Sequence, residues 1–360
     1  MSALPATVPV AVVGAGQSGL AAGYYLRQAG VGCVLLDAGS EVGESWRRRW
    51  DSLRLFTSAQ FSALPGLPFP GHGARYPGKD EVVAYLRDYA ERFDLPVLPG
   101  HRVLAVRRDG DGYLLSTPHG DCRAGQVIIA TGAFGAARIP GFAAGLSPDV
   151  PSLHTGDYRG PAQVPPGTVV IVGDGNSGRQ VAVELADSHT VVLSCGGSVS
   201  PQLPQTVVGR DMFWWMSAIG VMSLPVDMRA PDPIVGDRVP ELVADGRIRT
   251  VGRITAAEGT ELLTADGERV KASAVIWATG YHTDWSWLDP AMLDEAGQPR
   301  HTAGVGALPG SYYLGLYRMR TRGSALIGFV GRDAERIVAA AVDAGRGTPT
   351  ASPTTEGEPS

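Results

Sequence analysis

Cysteine is scarce in this chain. Cys33, Cys122 and Cys195 are isolated, with no CxxC pair and no metal-ligand spacing among them. That pattern argues against a disulfide framework and a redox dithiol, gives no metal-ligand spacing, and fits a reducing compartment, so a cytoplasmic location is expected. Charge is sparse too: charged residues make up 19% of the chain, the formal net charge is -5, and no long basic run occurs. Nucleic acid is therefore not an expected partner. No apolar run is long enough to span a membrane. The opening stretch MSALPATVPV has no charged leader and no long apolar core, so no signal peptide is expected. Residues 346–360, RGTPTASPTTEGEPS, offer no apolar anchor and are expected to form a disordered tail.

What is present is a glycine turn, made twice. The apolar run at residues 10–13 leads into Gly14-Ala15-Gly16-Gln17-Ser18-Gly19, and an Ala-rich amphipathic stretch follows at 20–29. This reads as strand, tight turn, helix. Gly14 permits the turn, Gly16 lets backbone N–H groups approach a pyrophosphate, and Gly19 lets the helix pack close on the strand. The pyrophosphate would sit at a helix N-terminus, where unpaired N–H groups and the helix dipole favour an anion. A second strand at residues 33–36 ends in Asp37, about 20 residues on, where a carboxylate binds a ribose hydroxyl.

After the linker-like residues 161–167 the pattern recurs. A strand at 168–172 precedes Gly173-Asp174-Gly175-Asn176-Ser177-Gly178, a helix is expected from Arg179 to about Asp187, and the next strand is at 190–193. Strands ending in Ala130-Thr131-Gly132 and Ala278-Thr279-Gly280 close the two modules in the same order. The internal repeat implies two dinucleotide sites in one chain, and two sites imply electrons passing between two cofactors. No acid follows the strand of the second module, where Ser194-Cys195-Gly196-Gly197 stands. That absence favours NADPH over NADH, and Arg210, the nearest downstream cation, is the candidate for its 2′-phosphate.

Between these landmarks, residues 79–93 carry a helical apolar face of Val82, Val83, Leu86, Tyr89, Ala90 and Phe93, with Asp80 as the expected N-cap. A hairpin is expected at 103–116, and a last strand at 325–330 before a helix that Gly331-Arg332-Asp333 opens. The arginine triplet 47–49 reads either as a solvated face or as a cationic rim near a cofactor phosphate.

With these residues in view, the chain resembles the flavin-containing monooxygenases, above all their plant YUCCA-type members and related bacterial flavoproteins. The likeness covers roughly residues 9–344 and rests on GAGQSG, WDSLRLFTSAQFSALPGLPFP, GDGNSG, ATGYHTDWSWL and GRDAERI. The family fingerprint F-x-G-x-x-x-H-x-x-x-[Tyr/Trp/Phe] is kept only in its second half, by His154 and Tyr158.

The resemblance implies FAD on the first turn, NADPH (or NADH) on the second, molecular oxygen as oxidant and a small organic substrate. Reduced flavin would add oxygen at C4a, in a site kept dry by the protein. The internal repeat itself points to an α/β fold of two three-layer Rossmann-like domains, with the NADP domain inserted into a discontinuous FAD domain. The expected division is 1–160 and 274–345 for FAD, and 161–273 for NAD(P)H. A homodimer is compatible with this plan. Arg54, Ser58 and Gln60 are the candidate polar groups over the flavin. Trp46, Thr131, Gly132, Thr279 and Gly280 join the glycine turns as cofactor candidates, and Asp333 either contacts the ribityl chain or caps its helix. Leu55, Phe56, Phe61, Trp285 and the Trp214-Trp215 stretch are the expected apolar wall. A peroxide-releasing NAD(P)H oxidase, a disulfide reductase and a non-catalytic nucleotide-binding regulator are the rival readings.

Overall fold

A computed structural model describes residues 3–196, 200–224 and 232–346. Arg346, the first residue of the expected tail, ends a helix, while residues 347–360 lie outside the described residues, as does Gly197.

The first unit is built on a buried parallel sheet. Strand β1 (Thr7–Val13) feeds helix α1 (Gln17–Gln28), which returns the chain to β2 (Cys33–Leu36). Helix α2 (Lys79–Arg92) then leads to β3 (Val97–Leu98). Gly78, not Asp80, precedes the first turn of α2, and the Glu81 carboxylate accepts the Gly78 N–H at 2.8 Å. The expected hairpin is β4 (Ala105–Asp109) and β5 (Gly112–Thr117). Strand β6 (Gly120–Ile129) runs antiparallel to β5 at its start and parallel to β1 from Arg123 onward. Apolar runs covered on both faces, such as Val10, Ala11, Val12 and Val13, suit such a sheet. Each fully buried Val or Leu side chain contributes about 1.5–3 kcal/mol.

The chain then crosses to a second sheet. Its strands are β7 (Ser152–His154), β8 (Thr168–Val172), β9 (Thr190–Ser194), β10 (Ile248–Val251) and β11 (Ala274–Trp277). They are all parallel, in the spatial order β10-β9-β8-β11-β7. Helix α3 (Asn176–Leu185) joins β8 to β9, and the shorter α4 (Met212–Ala218) lies within the long excursion before β10. Ser152–His154 and Ala274–Trp277, assigned by sequence to the first unit, pair within the second sheet.

The return to the first unit is made by β12 (Ser311–Tyr313), parallel to β6, and by helix α5 (Val330–Arg346), which packs on α1. The strand expected at 325–330 is instead a series of turns entering α5. A Cβ on Gly328 would stand 1.9 Å from the Phe61 carbonyl oxygen, so this apolar segment is pressed against another loop's backbone and has no ladder partner. The two crossings run side by side: Ala136–Ala137 pairs antiparallel with Tyr281–His282. No helix among the described residues is long and apolar enough to cross a membrane.

Candidate active site

Both glycine turns are shaped by the protein itself at their first and third glycines. Gly14 and Gly173 adopt φ of +103° and +112°, a region open to glycine. A Cβ on Gly19 would lie 1.8 Å from the Gly14 carbonyl oxygen, and one on Gly178 would lie 2.0 Å from that of Gly173. The middle glycines differ. A Cβ on Gly16 or Gly175 meets nothing within 4 Å, so the open side of each turn faces unfilled space. No side chain caps the N-terminus of α1 or α3. The first-turn N–H groups are thus left for an anion in that space.

The space is one cleft of about 870 Å³ that reaches both turns, lined by Gly14 and Gly16 at one side and Asn176, Ser177 and Gln180 at the other. Its volume and its position outside the carboxyl ends of two parallel sheets are those of a ligand crevice. Asp37 closes the first turn: its carboxylate accepts the Ala15 N–H at 2.6 Å and the Gly39 N–H at 2.7 Å. Gln17 joins three segments, accepting from Trp46 Nε1 at 3.2 Å and donating to the Ala325 carbonyl at 3.4 Å. The residues present therefore fit a dinucleotide on each turn.

Most of the expected cofactor residues are brought together. Gly14, Gly16, Gln17, Ser18, Asp37, Trp46, Thr131 and Gly132 all line the cleft, as do Asn176 and Ser177. Gly19, Gly173 and Gly178 pack against backbone behind them, and Gly175 keeps its open side free. Others are spent elsewhere. The Thr279 hydroxyl donates to the Arg138 carbonyl and the Gly280 carbonyl faces His154, so both serve the crossing. Asp333 is buried within the first turn of α5 and paired with Arg320 at 2.5 Å. Arg210 lies over the Trp214 ring, 4.3 Å from its centroid, on a hairpin whose Asp211 accepts the Ser58 N–H.

Of the three polar candidates, only Arg54 lines the cleft, donating to the Tyr76 carbonyl at 3.2 Å. Ser58 is fully buried, and Gln60 is exposed outside the cleft lining, with its amide directed at the Ser58 hydroxyl. Leu55 and Phe56 form part of the apolar wall, whereas Phe61 stacks on Phe329 and Trp285 is buried beside Trp287. In the arginine triplet, Arg47 pairs with Glu41 and Arg48 with Glu44, while Arg49 donates to the Tyr281 hydroxyl at 2.6 Å and lies over the Phe134 ring. Arg48 and Arg49 both reach the cleft. Thr283 and Asp284, within the YHTDWSWL stretch but not among the expected site residues, line it just beyond the second Ala-Thr-Gly.

A profile of the pyridine nucleotide-disulphide oxidoreductases matches residues 11–202. An uncharacterised CzcO-like oxidoreductase of Geobacillus kaustophilus is 39% identical over 92% of this chain and 97% of its own. The flavin-containing monooxygenase of Stenotrophomonas maltophilia superposes with a TM-score of 0.80 at 30% identity, covering 94% of this chain and 98% of that one. The chain belongs to the flavin-containing monooxygenase family. A probable indole-3-pyruvate monooxygenase of Arabidopsis thaliana, YUCCA9, is 28% identical over 77% of this chain and 76% of its own. The protein is thus an enzyme, a flavin-dependent oxidoreductase of the monooxygenase type that uses a nicotinamide nucleotide.

Two further features agree with membership of the monooxygenases. Burial pushes the Cys33 thiol up to about 11 and raises Cys122 and Cys195 as well, and none is disulfide-bonded. No thiolate therefore stands ready for disulfide exchange at neutral pH. His154, the histidine of the family fingerprint, is buried with both ring nitrogens engaged by backbone. Nδ1 accepts the Gly156 N–H at 3.0 Å, and Nε2 faces the Gly280 carbonyl at 2.9 Å. That fixes the Nε2–H tautomer and ties β7 to the crossing, a structural task.

Proposed function

We propose that this enzyme binds FAD on the turn at residues 14–19 and NADPH on the turn at 173–178. It would use molecular oxygen to oxygenate a small, partly apolar organic molecule in the cleft between them. The observation that carries the reading is that one cleft is lined by both turns and, among its described residues, by no cysteine. The balance is one substrate, one O2, one NADPH and one proton giving oxygenated substrate, NADP+ and water. When bound, FAD supplies hydride acceptance and oxygen activation.

The protein's own residues supply position and dryness. First-turn N–H groups of α1 and α3 hold the two pyrophosphates. Asp37 is placed to accept a ribose hydroxyl in exchange for one of its backbone N–H bonds. Leu55, Phe56 and Trp287 exclude water from the reacting end. Arg54 is the proposed polar group there. Three unpaired cysteines support a cytoplasmic setting.

The test is turnover under 18O2 with NADPH and a panel of thioethers, amines and 2-oxo acids. Labelled product formed in proportion to NADPH consumed is expected. Hydrogen peroxide equal to NADPH, with no labelled product across the panel, would favour the oxidase reading instead.

A further inference from the structure

A dinucleotide whose pyrophosphate lies at the start of α3 places its adenosine ribose at the end of the neighbouring strand β9. There the expected acid is missing, and Ser194 cannot serve: it is buried, donating its hydroxyl to the Gly252 carbonyl at 3.0 Å and accepting the Ile254 N–H at 3.2 Å. Two other side chains face this point. Arg253, two residues beyond β10, sends Nε and Nη2 to the Gly196 carbonyl at 3.1 and 2.6 Å. Asp174, inside the glycine turn, accepts the Gly196 N–H on Oδ1 at 3.3 Å. A Cβ built on Gly196 would lie 3.7 Å from Arg253 Nη2 and 3.9 Å from Asp174 Oδ1, so the two groups flank one spot.

We propose that Arg253 and Asp174 together set the choice between NADPH and NADH. Arg253 reads the 2′-phosphate, and Asp174 accepts the 2′-hydroxyl when no phosphate is there. This rests on the second turn binding a nicotinamide nucleotide.

The chemistry of each group fits its part. Arg253 is exposed at the surface and presents a planar fork suited to phosphate oxygens. Only two of its five N–H donors are committed to Gly196. Asp174 is an acceptor that a phosphate dianion would be repelled by, yet Arg179 moderates that charge. Arg179 Nη2 lies 3.9 Å from Asp174 Oδ2, and its Nη1 is paired with Asp237. Asp266, the other acid nearby, is turned to the Thr264 hydroxyl beside Gly252. One cation and one partly neutralised anion at the same 2′-oxygen give a site that accepts both nucleotides, with NADPH ahead by a narrow margin. Arg210, the cation the sequence offers for this phosphate, lies over the Trp214 ring.

The experiment measures calorimetric binding of 2′,5′-ADP and 5′-AMP to the flavin-loaded enzyme, with kcat/KM for NADPH and NADH alongside. Arg253→Ala should weaken 2′,5′-ADP roughly tenfold to thirtyfold and leave 5′-AMP within about threefold, as loss of a charge-assisted hydrogen bond does. Asp174→Asn keeps the acceptor for Gly196 and removes the charge, so NADPH should gain roughly threefold to tenfold over NADH. If wild type binds both fragments and Arg253→Ala leaves their ratio unchanged, the proposal falls while the nucleotide site stands. If flavin-loaded wild type binds neither, the assignment of the second turn falls and the proposal with it.

Discussion

The two glycine turns have nearly the same backbone and opposite wiring. In the first, the acid stands at the strand end: Asp37 reaches into the turn and accepts the Ala15 N–H. In the second, the acid stands in the turn: Asp174, at the position equivalent to Ala15, reaches out to the strand end and accepts the Gly196 N–H. Each module therefore ties its turn to the end of the neighbouring strand with one carboxylate, supplied from opposite sides. What the turn needs from sequence is a carboxylate spanning that gap, and the position it comes from is free. What it then offers a ribose is not the same. The first module presents an acid alone, while the second presents an acid beside Arg253.

The sharpest break of this comparison comes at the middle glycines. Gly16→Val and Gly175→Val each add a side chain whose Cβ meets no protein atom, at an ordinary negative φ, so folding should change by less than about 0.5 kcal/mol. Ligand binding should change by roughly a hundredfold, because the new methyl groups occupy the path of the pyrophosphate. The two variants should differ in which cofactor is lost. Gly16→Val should be purified without flavin, and Gly175→Val should keep flavin but lose its reduction by NADPH. Absorbance of the purified proteins and their thermal midpoints separate these outcomes. Loss of flavin from Gly175→Val with the fold intact would mean that the turns had been assigned the wrong way round.

The pattern in which those turns sit was legible in the sequence. Short apolar runs, glycines at fixed offsets and an amphipathic stretch are local signals, and they marked β1, α1, β8 and α3 to within a few residues. Pairing across the chain was not legible. The repeat makes Ala274–Trp277 the closing strand of the second module, and it pairs with Thr168–Val172, although the expected division put it with the first unit: sheet membership is decided by partners far along the chain. For the same reason Arg253 was invisible. It reaches the ribose end from a third strand, β10, whose place beside β9 no local motif declares. Ser58 and Gln60 are polar and stand on the loop beside Arg54, but Ser58 is buried with its N–H donated to Asp211, and Gln60 faces solvent outside the cleft lining.

The smallest effect concerns the joint between the two units. Burial holds the His154 imidazole below its ordinary value, although the Gly280 carbonyl favours the charged form. The unfolded chain binds that proton near pH 6.5 and the folded one only below it. The stabilisation is therefore fully present above about pH 6.5 and is lost as pH falls from there through the folded value. His154→Gln should flatten the fall in thermal midpoint between pH 7.5 and 5.5, by no more than one proton's worth, about 1.4 kcal/mol per pH unit. His301, lowered in the same direction by burial, remains in both proteins. An unchanged pH profile would show that the joint does not depend on a neutral imidazole.

The central claim is that the two turns hold two cofactors that exchange electrons across one cleft and deliver them to oxygen without a thiol. Anaerobic titration of the flavin-loaded enzyme with NADPH, followed by mixing with oxygen-saturated buffer, tests it most directly. Flavin absorbance should be lost with one equivalent of NADPH and return on oxygen alone. A flavin that NADPH leaves oxidised, or one whose return requires an added disulfide or quinone, would contradict it.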